Sequence, residues 1–341
     1  MGRSDLSSKE RLLAALKREK VDRIPVCLFG VNPFPGGSNH STIAQAAQGS
    51  DWMSRDPSYR PLLELVEREC DILYWWNFSC GTSFSSAEEI SVASWVDEGS
   101  KFLRMTLHTP KGDISCVLRE DFGVFTTWTV EHFFKTEEDI DRFLSIPYKP
   151  LNPDVSRFFE AEKRLGEKGL MMVDILDPLC TIVPLFDYQE FAVLCVTKRE
   201  RVVELLEAMF PRVYGFLEYL LDKGVGPVFR IIGPEYALPP LLPPSFFDEF
   251  VVKYDTQLIE LIHSYGKIAR VHSHGKVGAF LEKFASMGAD ALDPLEPPPM
   301  GDVTLAEAKR RIGNRVCLVG GIEFGSLEEL SDPYEIDLLV K

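Results

Sequence analysis

Apolar positions in this chain follow two rhythms. One recurs at helical spacing and the other forms short continuous runs. Ser7-Ser8-Lys9-Glu10 has the S-x-x-E form of a capping box, and Leu12, Leu13, Ala15 and Leu16 then follow at helical spacing up to Lys20, which predicts a first helix. Ile24-Pro25-Val26-Cys27-Leu28-Phe29-Gly30 is a continuous apolar run with proline at its second position, the pattern of a strand buried on both faces. Residues 31–57, rich in Pro, Gly, Ser and Asn, are too long for a structural connection and predict a lid or binding loop. A helix over 58–70 then leads to a second strand, Asp71–Asn77.

The rhythm breaks at residues 92–135. Lys101–Leu107 and Asp113–Leu118 read as strands around the turn-forming Thr109-Pro110-Lys111-Gly112-Asp113, so a β-hairpin insertion is expected after the second strand. Thr136-Glu137-Glu138-Asp139 opens another helix. Strands recur at 169–175, 227–233, 267–274, 288–293 and 315–320, with amphipathic helices such as 199–223 and 245–265 between them.

Strand–helix alternation with near-continuous apolar strands indicates an α/β protein with a parallel sheet. The number of units favours a TIM (β/α)8-type barrel over an open doubly wound sheet, as one domain spanning 1–341. No Gly-x-Gly-x-x-Gly follows any strand, which counts against a dinucleotide fold. Seven strands are readable, and the last residues, Asp332–Lys341, read as a helix. The eighth strand that would close the ladder is therefore expected to be missing, by truncation or because the barrel is left open.

Charge narrows the partners. The 37 Lys and Arg against 52 Asp and Glu give a formal charge of −15, which disfavours nucleic acid and anionic membrane surfaces. The chain has no signal-peptide pattern and no apolar run near the roughly 20 residues of a membrane span, so a cytoplasmic location is expected. Seven cysteines without a C-x-x-C pair point to reduced thiols.

Arg270-Val271-His272-Ser273-His274-Gly275 carries the most pointed chemistry. In a strand, residues two apart share a face, so His272 and His274 are placed to share one metal ion. The alternative is a core histidine beside a loop hydrogen-bonder. Glu235, after Ile232-Gly233-Pro234 at a strand end, is a candidate catalytic carboxylate; its bland alternative is a helix cap or a partner of Arg230. Asp174 and Asp177 bracket the end of the third strand. Asp174 is the site candidate, and Asp177 before Pro178 equally fits a helix N-cap. Trp75, Trp76 and Phe78 offer an aromatic wall at the second strand end, one tryptophan being assignable to the core. Glu296-Pro297-Pro298-Pro299-Met300-Gly301-Asp302 reads as a stiff rim. His40, His108, His132 and His263 have no companion at ligand spacing.

An ordered set of segments resembles the uroporphyrinogen decarboxylase superfamily, which includes zinc-dependent methyltransferases working with cobalamin. The set is Lys9–Pro25 with Val21-Asp22-Arg23-Ile24-Pro25, Ile232-Gly233-Pro234-Glu235, His272–Gly275, Gly288-Ala289-Asp290-Ala291-Leu292-Asp293, and Gly313–Glu323 ending in Val319-Gly320-Gly321-Ile322-Glu323. The resemblance spans nearly the whole chain. It implies a (β/α)8 barrel with its site at the C-terminal strand ends.

Two chemistries diverge within the superfamily. The decarboxylase branch holds tetrapyrrole carboxylates with an arginine-containing segment after the first strand and uses an aspartate after the second. Here those places read Phe29-Gly30-Val31-Asn32-Pro33-Phe34-Pro35-Gly36-Gly37, with no Arg or Lys, and Trp75-Trp76-Asn77-Phe78-Ser79-Cys80. The methyltransferase branch holds zinc with a His-x-Cys pair at the fifth strand and a cysteine on the eighth. The resemblance therefore places His272 and His274 as metal ligands, with Glu323 completing the set, or alternatively Glu235, Asp293 or Cys80. Glu235 and Asp174 are the expected catalytic residues, and Phe29, Asn32, Trp75, Trp76, Asn77 and Asp293 the expected substrate surface.

The implied function is metal-dependent methyl transfer or demethylation, with zinc as cofactor and corrinoid supplied by a partner protein. A small molecule is the expected substrate, and a homodimer is compatible with this reading. The alternatives are a uroporphyrinogen decarboxylase, a lyase of porphyrin biosynthesis, and a non-catalytic truncated paralogue.

Overall fold

A computed structural model describes residues 6–28, 31, 33, 57–122, 126–322, 332 and 335. Strand–helix alternation is realised as a six-stranded parallel sheet of β1 (Ile72–Trp76), β6 (Gly169–Leu176), β7 (Val228–Ile232), β8 (Ile268–His272), β9 (Ala291–Leu295) and β10 (Cys317–Gly320), in that spatial order. The protein is thus α/β. Helical structure lies between successive strands of this sheet, including Arg199–Asp222 before β7 and Lys253–Ser264 before β8. The antiparallel sheet is separate, with β2 (Glu89–Asp97), β3 (Ser100–His108), β4 (Ile114–Asp121) and β5 (Thr127–Glu131) paired in sequence order. Contacts divide the chain into two units, one of 1–77, 155–175 and 223–341 and one of 78–154 and 176–222.

In the first unit, the capping box at Ser7 starts the helix Ser8–Leu16 as the sequence predicts: the Ser7 hydroxyl accepts from the Glu10 amide and Glu10 accepts from the Ser7 amide. The helix buries Leu12 and Leu16 against Leu170, Met172, Val228, Ile268 and Ala291, which lie near the N-terminal ends of their strands. That end of the sheet is filled by core, which leaves the C-terminal ends for chemistry. Arg11 joins the packing to the chain after it, donating to Asp22 and to the fully buried Asp71. In the second unit, Phe84 packs edge-on against Phe216, and the buried Arg212 donates to the carbonyls of Ser83 and Ile146.

The first expected strand is a correction. Residues 24–28 form no strand, and Ile24, Val26 and Leu28 are exposed. Pro25 has no N–H to give a ladder, and the Val26 N–H goes to the Asp71 carboxylate (3.0 Å), while Val26 O accepts from the Asp71 amide (2.8 Å). A carboxylate therefore takes the donor a strand would have used. The expected hairpin is also too small, because β2 and β5 flank it to make four strands. The sheet is seen as six strands among the described residues, so an eight-stranded barrel is not realised there. The expected loop at 31–57 lies outside the described residues apart from 31, 33 and 57, as does most of the terminal helix. Among the described residues no single helix is long and apolar enough to cross a membrane.

Candidate functional site

Strand alternation builds the site. On β8, Arg270 and His272 share a face, and the register pairs Arg230 of β7 with Arg270 and His272 with Asp293 of β9. Two arginines thus stand side by side in the sheet, each with a carboxylate beyond it. Arg230 Nε and Nη2 donate to Asp174 Oδ1 and Oδ2 of β6, both at 2.8 Å, a two-pronged pair. Arg270 donates through Nε to Asp293 Oδ1, and His272 Nδ1 lies 3.0 Å from Asp293 Oδ2. Across the sheet the order of charge is minus, plus, plus, minus.

These groups are nearly out of water: the side chains of Asp174, Arg230, Arg270 and Asp293 are between 5% and 7% exposed. Burial pushes the Asp293 carboxyl up, but Arg270 and the His272 hydrogen bond outweigh it and hold the group well below the usual carboxylate range. Burial alone lowers Arg230, and the adjoining Asp174, Asp293 and Glu235 charges more than restore its cation. Trp75 covers that cation, with the Arg230 Cζ 4.3 Å from the ring centroid. The Asn77 side-chain amide ends 3.3 Å from Asp174 Oδ2, where a carboxylate calls for the amide nitrogen as donor. Trp76, one residue along, faces the other way, is buried, and meets Phe158 edge-on at 5.8 Å. One tryptophan serves the site and one the core.

His272 ends β8, and His274 lies two residues on, so the spacing seen in the sequence becomes a ring-centroid separation of 4.7 Å. Their surroundings differ. The His272 side chain is 10% exposed and that of His274 55%, so the pair runs from interior to surface. Each has a carboxylate on Nδ1: Asp293 for His272, and Glu296 for His274, also at 3.0 Å. Glu296 is itself fixed by the Gly275 amide at 2.7 Å. A carboxylate accepts only, so Nδ1 carries the proton in each neutral ring, which puts the lone pair on Nε2. Metal-binding histidines are prepared in this way.

Gly233, at φ 144°, turns the chain immediately after β7, and the short turn Pro234–Ala237 carries Glu235. Glu235 Oε2 is buried and has no hydrogen-bond partner among the described residues. Asp177 caps the helix Pro178–Ile182, its side chain accepting from the Cys180 amide at 2.5 Å. Burial, with the Glu88 charge adding, pushes the Cys80 thiol up to about 12. Among the described residues no group of three His, Cys, Asp or Glu is placed to hold a metal ion, so Glu235, Asp293 and Cys80 do not complete a set with the histidines. Phe29, Asn32 and Glu323 lie outside the described residues.

The structure therefore brings together Trp75, Asn77, Asp174, Asp293, His272 and His274, and adds three residues that sequence patterns left unmarked. Arg230 and Arg270 each carried a signal, a lone cation inside an apolar strand, as in Val228-Phe229-Arg230-Ile231-Ile232. Glu296 carried a weaker one, opening the proline-rich loop.

No curated protein sequence matches the chain. A methyltransferase from Methanosarcina mazei has a similar structure, with a TM-score of 0.53, 17% identity, and coverage of 93% of this chain and 83% of that one. At that identity the likeness speaks for the fold. The sequence model of the family described as uroporphyrinogen decarboxylase (URO-D) matches residues 130–337, more than half of the chain and the stretch carrying β6 to β10, Glu235 and the histidine pair. The chain belongs to the URO-D family.

Proposed function

We propose that the protein is a metal-dependent methyltransferase that moves a methyl group between a small molecule and a corrinoid carried by a partner protein. The observation behind this reading is the histidine pair backed by carboxylates, His272 on Asp293 and His274 on Glu296. The pair fits a divalent cation such as zinc: each imidazole turns Nδ1 to a carboxylate, which orients it from behind and leaves Nε2 as the metal-facing nitrogen. A bound zinc would act there as a Lewis acid on the substrate heteroatom.

The chain's own groups supply the rest. Arg270 holds Asp293 ionised, so Asp293 keeps the His272 ring in one tautomer, and Arg230 fixes Asp174 by two hydrogen bonds. Trp75 on β1 and Asn77 just after it cover the Arg230–Asp174 pair. Glu235, whose Oε2 has no hydrogen-bond partner among the described residues, is the group at the strand end for proton transfer. The chain's match to the URO-D family and the methyltransferase fold of its structural neighbour agree with this reading.

The test is metal content by elemental mass spectrometry of the purified protein and of the His272→Ala/His274→Ala variant. Near-stoichiometric zinc that is lost in the double variant is the expected result. A metal-free wild type after zinc reconstitution would sink the proposal.

A further inference from the structure

Outside the histidine and arginine groups, Asp255 is a buried carboxyl group to which no role has been given. Asp255 is fully buried, and neither of its oxygens has a hydrogen-bond partner among the described residues. It lies at the start of the helix Lys253–Ser264, directly after the π-helical segment Asp248–Val252. A π turn takes one extra residue, which rotates the next helical turns by about 100° relative to an unbroken helix. Asp255 is thereby set among the buried positions Tyr254, Leu258, Ile259 and Ile262. Such segments cost hydrogen-bond geometry and occur often at functional sites.

Among the described residues, the elements packed on this stretch bring the charged or titratable groups Glu235, Arg270 and His272. The turn Pro234–Ala237 packs on Asp248–Val252 and brings Glu235, whose charge acts on Asp255. Strand β8 also packs on the helix, but it turns Arg270 and His272 toward Asp293 and so leaves Ala269 and Val271 on the helix side. Arg230 is bound to Asp174. Two carboxyl groups therefore lie on packed elements, Asp255 fully buried and Glu235 with its Oε2 buried, and among the described residues neither forms an ion pair. An ionised carboxylate in such a place is far costlier than a protonated one, and a like charge beside it adds to the cost. Burial first, and Glu235 second, push Asp255 well above the usual carboxylate range.

We propose that Asp255 and Glu235 are a one-proton pair at the C-terminal end of β7, with the proton on Asp255 and the negative charge on Glu235. Glu235 is the member near Arg230, whose cation its charge supports. Asp255 is then a positioning residue. As a neutral acid it lets Glu235 stay ionised beside the arginine pair, and the proton it holds is the pair's reserve for acid–base work. Nothing in this requires a bound metal, so it stands or falls separately from the methyltransferase reading.

Infrared spectroscopy tests it on the intact protein at neutral pH. The folded wild type is expected to show the carbonyl stretch of a protonated carboxyl group that is absent from the unfolded protein and from Asp255→Asn. In Glu235→Gln that band is expected to titrate away at lower pH, because the like charge is gone. Between about pH 5 and pH 8 the unfolding constant of the wild type should rise relative to Asp255→Asn by up to about tenfold per pH unit. A folded wild type without the band, or a band that Asp255→Asn leaves in place, overturns the proposal. Should Asp255→Asn fail to fold, the folded-minus-unfolded spectrum of the wild type and the Glu235→Gln titration decide it.

Discussion

Asp174 and Arg230 show what a single buried charge demands of its neighbours. The pair is held at 2.8 Å on both prongs, with side chains 7% and 5% exposed, and Asp293 stands 3.7 Å from the remaining Arg230 nitrogen. Desolvating an ion costs several kcal/mol, so the pair is stable only while both members are present. Asp174→Ala leaves Arg230 buried over Trp75 with no partner at hydrogen-bond distance, and is expected to lower stability by about 3–5 kcal/mol in denaturant titration. Adding Arg230→Met to Asp174→Leu, which removes both charges at similar volume, is expected to regain most of that loss. A cost below about 1 kcal/mol for Asp174→Ala would mean that water reaches Arg230 and the network is not an interior one. The same reasoning explains why the sequence could show His272 and His274 but not their setting. A two-residue spacing is a local property, whereas the partners Asp293 and Glu296 lie 21 and 22 residues away and are joined to the histidines by strand register.

At the scale of elements, what could be read from the chain depended on where the deciding interaction lay. β6 to β10 were legible because continuous apolar runs between helices have one stable use, a sheet covered on both faces. The run at 24–28 has the same appearance, but Pro25 lacks an N–H and the Asp71 side chain takes that of Val26, and Asp71 lies 45 residues from Val26. β2 was missed because its residues are mostly exposed, so no hydrophobic period marks it. Close approach of strands is equally hidden. Gly169 opens β6 opposite Ile72 of β1, and a Cβ there would stand 2.2 Å from the Ile72 carbonyl oxygen and 2.9 Å from the Ile72 Cβ. Gly169 is extended, at φ −177°, so conformational freedom is not the reason for glycine; space is. Gly169→Ala must push β6 away from β1 and is expected to cost about 1–3 kcal/mol, measured as a drop in the denaturation midpoint at unchanged slope. An unchanged midpoint would show that the two strands separate there at no cost.

For the molecule as a whole, charge sets how stability depends on pH and salt. Carboxyl groups of two opposite kinds are present. Asp293 and Asp139 are held below their unfolded values, so the stability they contribute is present above about pH 4 and is lost as pH falls toward their folded values. Asp255 is raised, so its contribution is complete below about pH 4 and is lost as pH climbs. The two slopes oppose each other and place the maximum on the acidic side of neutrality. Net charge acts in the same sense, because the chain carries −15 at pH 7 and approaches zero near its pI of about 5.0. Self-repulsion is therefore present at pH 8 and nearly absent at about pH 5.5, and it is the term that salt screens over a Debye length of about 8–10 Å. Exposed ion pairs such as Arg60–Glu64 and Arg68–Glu69 are weakened by the same salt, but each contributes little. Raising NaCl from about 0.01 M to about 0.15 M should therefore raise Tm at pH 8 and leave it nearly unchanged at about pH 5.5, where Tm in low salt is the higher of the two. Scanning calorimetry at the two pH values and two salt concentrations checks this. A salt response as large at the lower pH would place the effect in specific ion binding, since repulsion between like charges vanishes where the charge does.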